Sequence, residues 1–88
     1  MEGGNWQAWN ALGALLEIKG DKDGALKSFE KALRHKRDFL PGLINYGRLL
    51  EQKGNRKAAQ KAFKRALELN PRDDVANAAI KRLSGKAA

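Results

Sequence analysis

The chain has 88 residues, of which 18 are Lys or Arg and 10 are Asp or Glu, with one His and no Cys. This length is that of one domain, which excludes an enzyme built from two lobes around a cleft. Without cysteine there is no disulfide framework and no thiolate zinc site, and a single histidine does not make an ordinary metal site. We therefore expect no metal and no cofactor. The uncharged stretches are too short and too polar to span a bilayer, so we expect no membrane segment and a cytoplasmic location.

The formal net charge of +8 points to an acidic partner. The charge is unevenly placed, because the stretch from Arg48 to Arg65 contains seven basic residues and a single acid, Glu51. Such a stretch attracts an acidic peptide, nucleic acid or an anionic lipid surface. Usually, however, such a stretch is simply the solvated face of a helix, since charge alone gives solubility and steering.

The chain aligns with itself at an offset of 34 residues, with 11 identities in 34 positions. The identities are mostly small or apolar residues at regular spacing. A period of this length predicts a solenoid of helical repeats within a single domain. We therefore divide the chain into repeat one (6–39), repeat two (40–73), a closing helix (74–84) and tails at 1–4 and 85–88.

Repeat one is predicted to form two helices. Asn5 is a candidate N-cap, and apolar residues follow it at helical spacing as far as Leu16. Gly20 is expected to end this helix, because a positive φ costs glycine little. Asp21 is placed to cap the second helix, whose apolar stripe is centred on Phe29.

Repeat two is predicted to follow the same plan. Asp38 is placed to cap a helix that accepts Pro41 because this residue lies in its first turn. Gly54 is expected to end that helix, and Phe63 is the centre of the next apolar stripe. Pro71 is expected to stop the fourth helix, since proline disfavours helical geometry in the residue before it.

A glycine lies inside the first helix of both repeats, at Gly13 and Gly47. Glycine in a helix interior costs about 0.5–1 kcal/mol relative to alanine. Its presence at equivalent positions indicates a close helix crossing that recovers this loss. Phe29 and Phe63 are expected to fill the space beside the crossing.

Residues 74–83 predict a further helix with two unlike faces. One face is apolar, whereas Asn77 and Lys81 make another face polar. A terminal capping helix needs one face on the last repeat and one in water. We expect Gly85 to end this helix and the array to stop there.

The two repeats resemble the tetratricopeptide repeat, a 34-residue pair of helices. The matching positions are Trp9, Leu12, Gly13, Leu16, Ala25, Phe29 and Ala32 in repeat one, and Leu43, Tyr46, Gly47, Leu50, Ala59, Phe63, Ala66 and Pro71 in repeat two. Repeat one departs from the pattern with Arg37 where proline is expected. The resemblance covers 68 of the 88 residues, and it implies an all-α, right-handed helical-repeat solenoid.

The resemblance also implies that the first helices line a concave groove, which binds an extended peptide or a chain terminus. On this basis the candidate partner-binding residues are Gln7, Asn10, Asn45, Arg48, Gln52 and Arg82. The two asparagines can bond a peptide N–H and C=O, and the two arginines can pair with carboxylates. We therefore expect an extended acidic peptide, although each asparagine can equally be an exposed residue bonded to water.

The residue pattern does not indicate an enzyme. Ser28 and Ser84 are not arranged with His35 as a nucleophile and its base, and the carboxylates are scattered. No glycine-rich phosphate loop follows a predicted strand. We therefore predict a non-enzymatic protein with no catalytic residues.

Nucleic acid is the less favoured alternative partner. The residues of a basic convex stripe would be Lys57, Lys61, Lys64 and Arg65 in repeat two and Lys27, Lys31 and Arg34 in repeat one. Such a stripe contacts phosphates, but no aromatic residue alternates with these cations to stack on bases. Binding would be weak and independent of sequence. So regular a short array is also compatible with a designed or consensus-like scaffold that has no natural ligand.

The first helix is predicted to leave an apolar edge at the N-terminal end of the array. Trp6, Leu12 and Leu15 are the residues of this edge. It can support a weak homodimer through a two-fold pairing. The alternative is that the edge is small and tolerated, since single exposed apolar residues are normal.

Overall fold

The computed structural model describes residues 5–84, and in this range the chain forms five α-helices. Repeat one contains α1 (Trp6–Ile18) and α2 (Lys22–His35), and repeat two contains α3 (Leu40–Gln52) and α4 (Arg56–Leu69). They are followed by α5 (Asp74–Ser84). The predicted all-α class is confirmed. The predictions for the tails, and for Gly85 as the end of a helix, lie outside the described residues.

Helices that follow one another in sequence pack against one another. The contacts are most extensive within each repeat, between α1 and α2 and between α3 and α4. Further contacts join α2 to α3 and α4 to α5. The molecule is accordingly elongated, with extents of 46 × 27 × 17 Å. This neighbour-to-neighbour packing is the arrangement of a helical-repeat solenoid.

Both first helices end in the same hydrogen-bonded turn, as Gly20 and Gly54 predict. These glycines have φ values of 89° and 84°. After α1, the Gly20 N–H donates to the Glu17 carbonyl at 3.0 Å, and the Asp21 N–H donates to the Leu16 carbonyl at 2.8 Å. The equivalent residues at the end of α3 make the same two hydrogen bonds. A left-handed glycine is what this turn requires, so each first helix reverses into its second helix in the same way.

Side-chain caps start three of the helices. The Ala8 N–H donates to Asn5 Oδ1 at 3.0 Å at the start of α1. The Gly24 N–H donates to Asp21 Oδ1 at 2.9 Å at the start of α2. The Ala76 N–H donates to Asp73 Oδ1 at 2.9 Å at the start of α5. Each cap satisfies a backbone N–H that has no partner within its helix.

The prediction that Asp38 caps α3 is wrong. Phe39 is the N-cap residue, and it makes no side-chain capping bond. Asp38 instead pairs with Lys36, with Nζ and Oδ1 3.3 Å apart. Phe39 packs on the Trp6 ring, with the ring centroids 4.5 Å apart. This aromatic contact lies where the helix begins, and the N-cap side chain offers no acceptor to the backbone N–H groups of the first turn.

The two helix crossings have the close approach that the glycines predict. A Cβ atom added at Gly13 would lie 2.7 Å from Phe29 Cε1, and one added at Gly47 would lie 2.9 Å from Phe63 Cζ. Both distances are shorter than van der Waals contact. Both phenylalanines are fully buried. Each repeat therefore packs a phenylalanine ring directly on the backbone of its first helix.

The core consists of two clusters centred on these rings. Phe29 packs with Ala25 and with Leu49 from the following repeat. The larger cluster is centred on Phe63, and its buried members are Leu43, Leu50, Ala59, Ala66, Ala76, Ala79 and Leu83. The last three of these come from α5. Repeat two is therefore covered on both sides, by repeat one and by α5.

Two polar side chains of α4 bind the C-terminal part of α5. Arg56 Nη2 donates to the Leu83 carbonyl at 2.7 Å, and Gln60 Nε2 donates to the same oxygen at 3.3 Å. Carbonyls in the last turn of a helix have no partner within the helix. These bonds therefore fix the position of α5 against repeat two.

Candidate functional site

The helix α5 follows repeat two in the sequence position of a third first helix. Two arginine–glutamate pairs link the first helices α1, α3 and α5. Arg48 Nη2 donates to both carboxylate oxygens of Glu17, at 2.8 and 3.0 Å. Arg82 donates to Glu51 from Nε at 2.7 Å and from Nη2 at 2.6 Å. The two glutamates are 34 residues apart, as are the two arginines. We call the surface that carries these four residues the ladder surface.

Two asparagines lie on the ladder surface beside these pairs, and both are half-buried. Asn45 Oδ1 accepts a hydrogen bond from Arg48 Nη1 at 3.0 Å, and within residues 5–84 its Nδ2 has no partner. Asn10 lies two helical turns before Glu17 on α1, and hence on the same face. Its Oδ1 atom is enclosed and has no hydrogen-bond partner among the described residues. Both amides therefore keep hydrogen-bonding capacity.

The two glutamines predicted for the site lie at its ends. Gln7 is exposed in the first turn of α1, and Gln52 is exposed as the last residue of α3. Because Gln52 follows Arg48 by four residues, the two side chains share one face of α3. The structure thus places Gln7, Asn10, Asn45, Arg48, Gln52 and Arg82 on the three first helices.

The arginines of the ladder surface are already paired with carboxylates of this chain. The hydrogen bond from Arg82, opposed by partial burial, holds the pKa of Glu51 below its ordinary value, and the same bond raises the pKa of Arg82. A carboxylate of a binding partner would therefore approach arginines whose positive charge is already balanced by Glu17 and Glu51. Arg82 uses Nε and Nη2 for Glu51, which leaves its Nη1 hydrogens without a partner in the described range. The arginines can still donate to an incoming acceptor, but as part of a neutral pair.

The outer helices α2 and α4 carry exposed cations that mostly have no acidic partner. Arg65 pairs with Glu68 at 3.0 Å, and Lys31 Nζ lies 4.4 Å from the centroid of a Trp9 ring. The cations of the predicted stripe that form no ion pair within residues 5–84 are Lys27, Arg34, Lys57, Lys61 and Lys64. The net positive charge of the chain is therefore concentrated on the outer helices rather than on the ladder surface.

Tyr46 on α3 lies between the two outer helices. Its hydroxyl donates to Glu30 Oε2 on α2 at 2.8 Å. Burial, and then the bond to Glu30, raises the pKa of Tyr46 to about 12. The phenol is therefore neutral throughout the physiological range, and it remains a donor to this carboxylate.

The three residues predicted for the apolar N-terminal edge, Trp6, Leu12 and Leu15, differ in exposure. Trp6 is half-buried because it packs on Phe39. Leu12 and Leu15 are exposed, and Ile18 extends the stripe with 82% of its surface exposed. The spacing of these three residues places them on one face of the helix.

The resemblance puts Glu17 and Glu51 on the groove side of the first helices, but it does not predict their pairing with Arg48 and Arg82. Glu17 and Glu51 align at the repeat offset, and Arg48 and Arg82 align at the same offset when the comparison extends into α5. An acid and a base that both recur at the repeat offset indicate an ion pair between the first helices of successive units. The hydrogen bond between Tyr46 and Glu30 has no such signal, because repeat one has Leu12 at the position of Tyr46.

Comparison with protein families gives a match to the tetratricopeptide repeat over residues 16–83. The match covers most of the chain and includes α2, α3, α4 and nearly all of α5.

The chain belongs to the tetratricopeptide repeat family.

Members of this family are typically non-enzymatic protein-interaction modules. No curated protein matches the chain at a significant level. In the described part of the chain, none of the helices has the length and apolar character needed to cross a membrane. Nor do three or more His, Asp or Glu side chains of residues 5–84 gather where they could hold a metal ion.

Proposed function

We propose that this tetratricopeptide-repeat protein binds an extended acidic peptide on the ladder surface, in the concave groove of its first helices, without catalysing a reaction. The observation that carries the proposal is the placement of Asn10 and Asn45. Both amides are half-buried on neighbouring first helices and keep free hydrogen-bonding capacity. An extended peptide offers backbone N–H and C=O groups along its length, which an amide can bond in pairs.

The arginine–glutamate pairs support this role by holding the helices in register. Arg48 contacts both Glu17 on α1 and Asn45 on its own helix. The Asn45 amide is thus oriented before a ligand arrives, which reduces the conformational entropy lost on binding. An enclosed acceptor without a partner costs about 1–3 kcal/mol. Rotation of the Asn10 amide toward a peptide N–H would remove that cost.

The preference for an acidic peptide rests on the charge of the whole chain. A net charge of +8 raises the local concentration of an acidic ligand and its association rate. The arginines of the ladder surface add donors at short range, such as the Nη1 group of Arg82. Because their charges are balanced by Glu17 and Glu51, we expect the asparagines to contribute most of the specificity.

The experiment is a fluorescence anisotropy titration with a labelled peptide of alternating Asp and Gly. Asn45→Ala should weaken binding by about two- to tenfold, because a neutral hydrogen bond contributes about 0.5–1.5 kcal/mol. Asn55→Ala is the matched control, since Asn55 is exposed at the start of α4 and makes no side-chain capping bond. A uniform loss in both variants, or no loss in Asn45→Ala, would contradict the proposal.

Nucleic acid is tested in the same assay with a labelled single-stranded oligonucleotide. If the basic stripe is the site, charge reversal at Lys57, Lys61 and Lys64 should reduce the salt dependence of binding, by about 0.7 unit of log–log slope for each phosphate of the single strand that a lysine no longer neutralises. Asn45→Ala should then have no effect. Tight oligonucleotide binding at physiological salt would favour this function over peptide binding.

We also propose that the chain forms a weak homodimer through the exposed face of α1. Leu15 is 49% exposed, although its counterpart in repeat two, Leu49, is fully buried. Within residues 6–18 the only charged side chain is Glu17, so two α1 helices can approach without the repulsion between the cationic outer faces. A two-fold pairing would cover this face in both copies.

Sedimentation velocity over micromolar to millimolar concentration tests the homodimer. We expect the weight-average sedimentation coefficient to rise with concentration, and Leu15→Lys to abolish the rise. Leu69→Lys is the matched control, because Leu69 is a similarly exposed leucine at the end of α4. A monomer over the whole range would exclude the dimer.

A further inference from the structure

Two shallow hollows lie on either side of the Tyr46 side chain. The first has a volume of about 680 Å³ and lies against α2, and the second has a volume of about 310 Å³ and lies against α4. Tyr46 lines both hollows. Ligand sites commonly have volumes of about 300–1,000 Å³. We call the two hollows together the Tyr46 groove.

The floor of the Tyr46 groove is apolar. Leu33 lines the first hollow, and Leu43, Ala58 and Ala62 line the second. Tyr46 lines both hollows, and its hydroxyl donates to Glu30. Binding is favoured when an apolar side chain displaces water from a floor of this composition.

The walls of the Tyr46 groove are cationic. Arg34 and Arg37 line the hollow against α2, and Lys61 and Arg65 line the hollow against α4. Arg34, Arg37 and Lys61 form no ion pair within residues 5–84, and Arg65 pairs with Glu68 outside the groove. Glu30 is the only acidic residue among those that line it. The groove therefore combines four cations, one carboxylate and an apolar floor.

We propose that the Tyr46 groove is a second binding site, separate from the ladder surface, for an acidic peptide segment with two apolar side chains. One apolar side chain would fill each hollow, and carboxylates on both sides of them would pair with the arginines of α2 and the cations of α4. A nucleic-acid backbone would satisfy the cations but would leave the apolar floor in contact with water. The floor and the walls together favour the peptide.

The test compares two labelled peptides that differ only in their apolar residues. Both carry the same number of Asp and Glu residues, and one has two Leu residues where the other has two Ser residues. The Leu peptide should bind at least about fivefold more tightly, because burial of even one or two methylene groups is worth that factor. Equal affinities would overturn the proposal, since the cations would then act without the floor.

Charge reversal locates the binding site of the Leu peptide. Arg34→Glu/Arg37→Glu should weaken binding by about fivefold or more, because each exposed ion pair contributes up to about that factor. The matched control is Lys22→Glu/Lys57→Glu, which changes the net charge equally at two exposed positions in the first turns of α2 and α4. An equal loss in both double variants would show an effect of net charge alone and would exclude this groove as the site.

Glu30→Gln gives the opposite expectation. The amide keeps an acceptor for the Tyr46 hydroxyl and removes the only negative charge that lines the groove. Binding of the Leu peptide should therefore tighten by about 1.5- to fivefold, the size of one exposed charge interaction. Unchanged or weaker binding would contradict the proposal. Asn45→Ala should leave the Leu peptide's affinity for the groove unchanged, so this site and the ladder surface can fail independently.

Discussion

Leu15 and Leu49 occupy the same position in the two repeats, yet Leu15 is 49% exposed and Leu49 is fully buried. Leu49 packs in the Phe29 cluster, which belongs to the preceding repeat. Leu15 has no preceding repeat among the described residues. In a solenoid the burial of a residue is thus determined by the neighbouring unit as well as by its own position in the repeat.

The presence or absence of a preceding repeat also changes what each first helix contacts. On α3, Tyr46 bridges to Glu30 on the preceding outer helix. On α1, the equivalent residue is Leu12, which is exposed. One face therefore holds two repeats together, and its counterpart on α1 is exposed.

The largest effect is expected from Phe63→Ala, which removes the centre of the better-covered repeat. Truncation of a buried phenylalanine costs about 3–5 kcal/mol, and an array of this size has a total stability of about the same amount. The variant should be largely unfolded at room temperature when measured by circular dichroism. A cooperative melt close to that of the parent chain would show that Phe63 is not the centre of the core.

A matched pair of substitutions compares the two leucines directly. Leu49→Ala should destabilise the fold by about 2–5 kcal/mol, because it opens a cavity beside Phe29. Leu15→Ala should cost about 0.5 kcal/mol, as for other surface positions. Urea denaturation of both variants at low protein concentration, where no dimer forms, measures the difference. Similar losses of unfolding free energy in the two variants would mean that α1 is covered in solution even in the monomer.

The two arginine–glutamate pairs of the ladder surface should contribute less to the free energy of unfolding than the core does. Glu51→Gln should cost at most about 1 kcal/mol at neutral pH, because Arg82 is largely exposed. The folded-state pKa of Glu51 is below its ordinary value of 4.5. Its contribution to stability is therefore complete above that pH and is lost as the pH falls through the lower folded-state value.

Thermal melts of the parent chain and Glu51→Gln at several pH values check this expectation. The difference in Tm should be present at neutral pH and should shrink in acid. Glu30→Gln is the control, because it changes the same charge away from the ladder surface. A difference that grows as the pH falls would contradict the direction of the pKa shift.

The fold could be predicted from sequence because its signals repeat. Gly20 and Gly54 mark the ends of equivalent helices, and Gly13 and Gly47 mark close crossings, so each assignment is supported twice. The start of α3 could not be predicted in this way because its N-cap is Phe39, whose role depends on the distant ring of Trp6. A local rule for polar caps favours Asp38 and contains no information on that contact.

The candidate site was only partly predictable. The period and the resemblance place Asn45 and Arg48 on a first helix, as found. They do not show that Arg48 binds Glu17, since the two residues are 31 positions apart and their pairing depends on how α1 and α3 lie together. The Tyr46 groove depends in the same way on the spacing between α2 and α4.

The proposed binding of an extended acidic peptide to the ladder surface can be located residue by residue. A ¹H–¹⁵N correlation spectrum of the full chain, titrated with the peptide of alternating Asp and Gly, tests it most directly. We expect the largest shifts on α1, α3 and α5, including the side-chain amides of Asn10 and Asn45. Shifts confined to the cationic outer helices α2 and α4, with both amides unmoved, would contradict it.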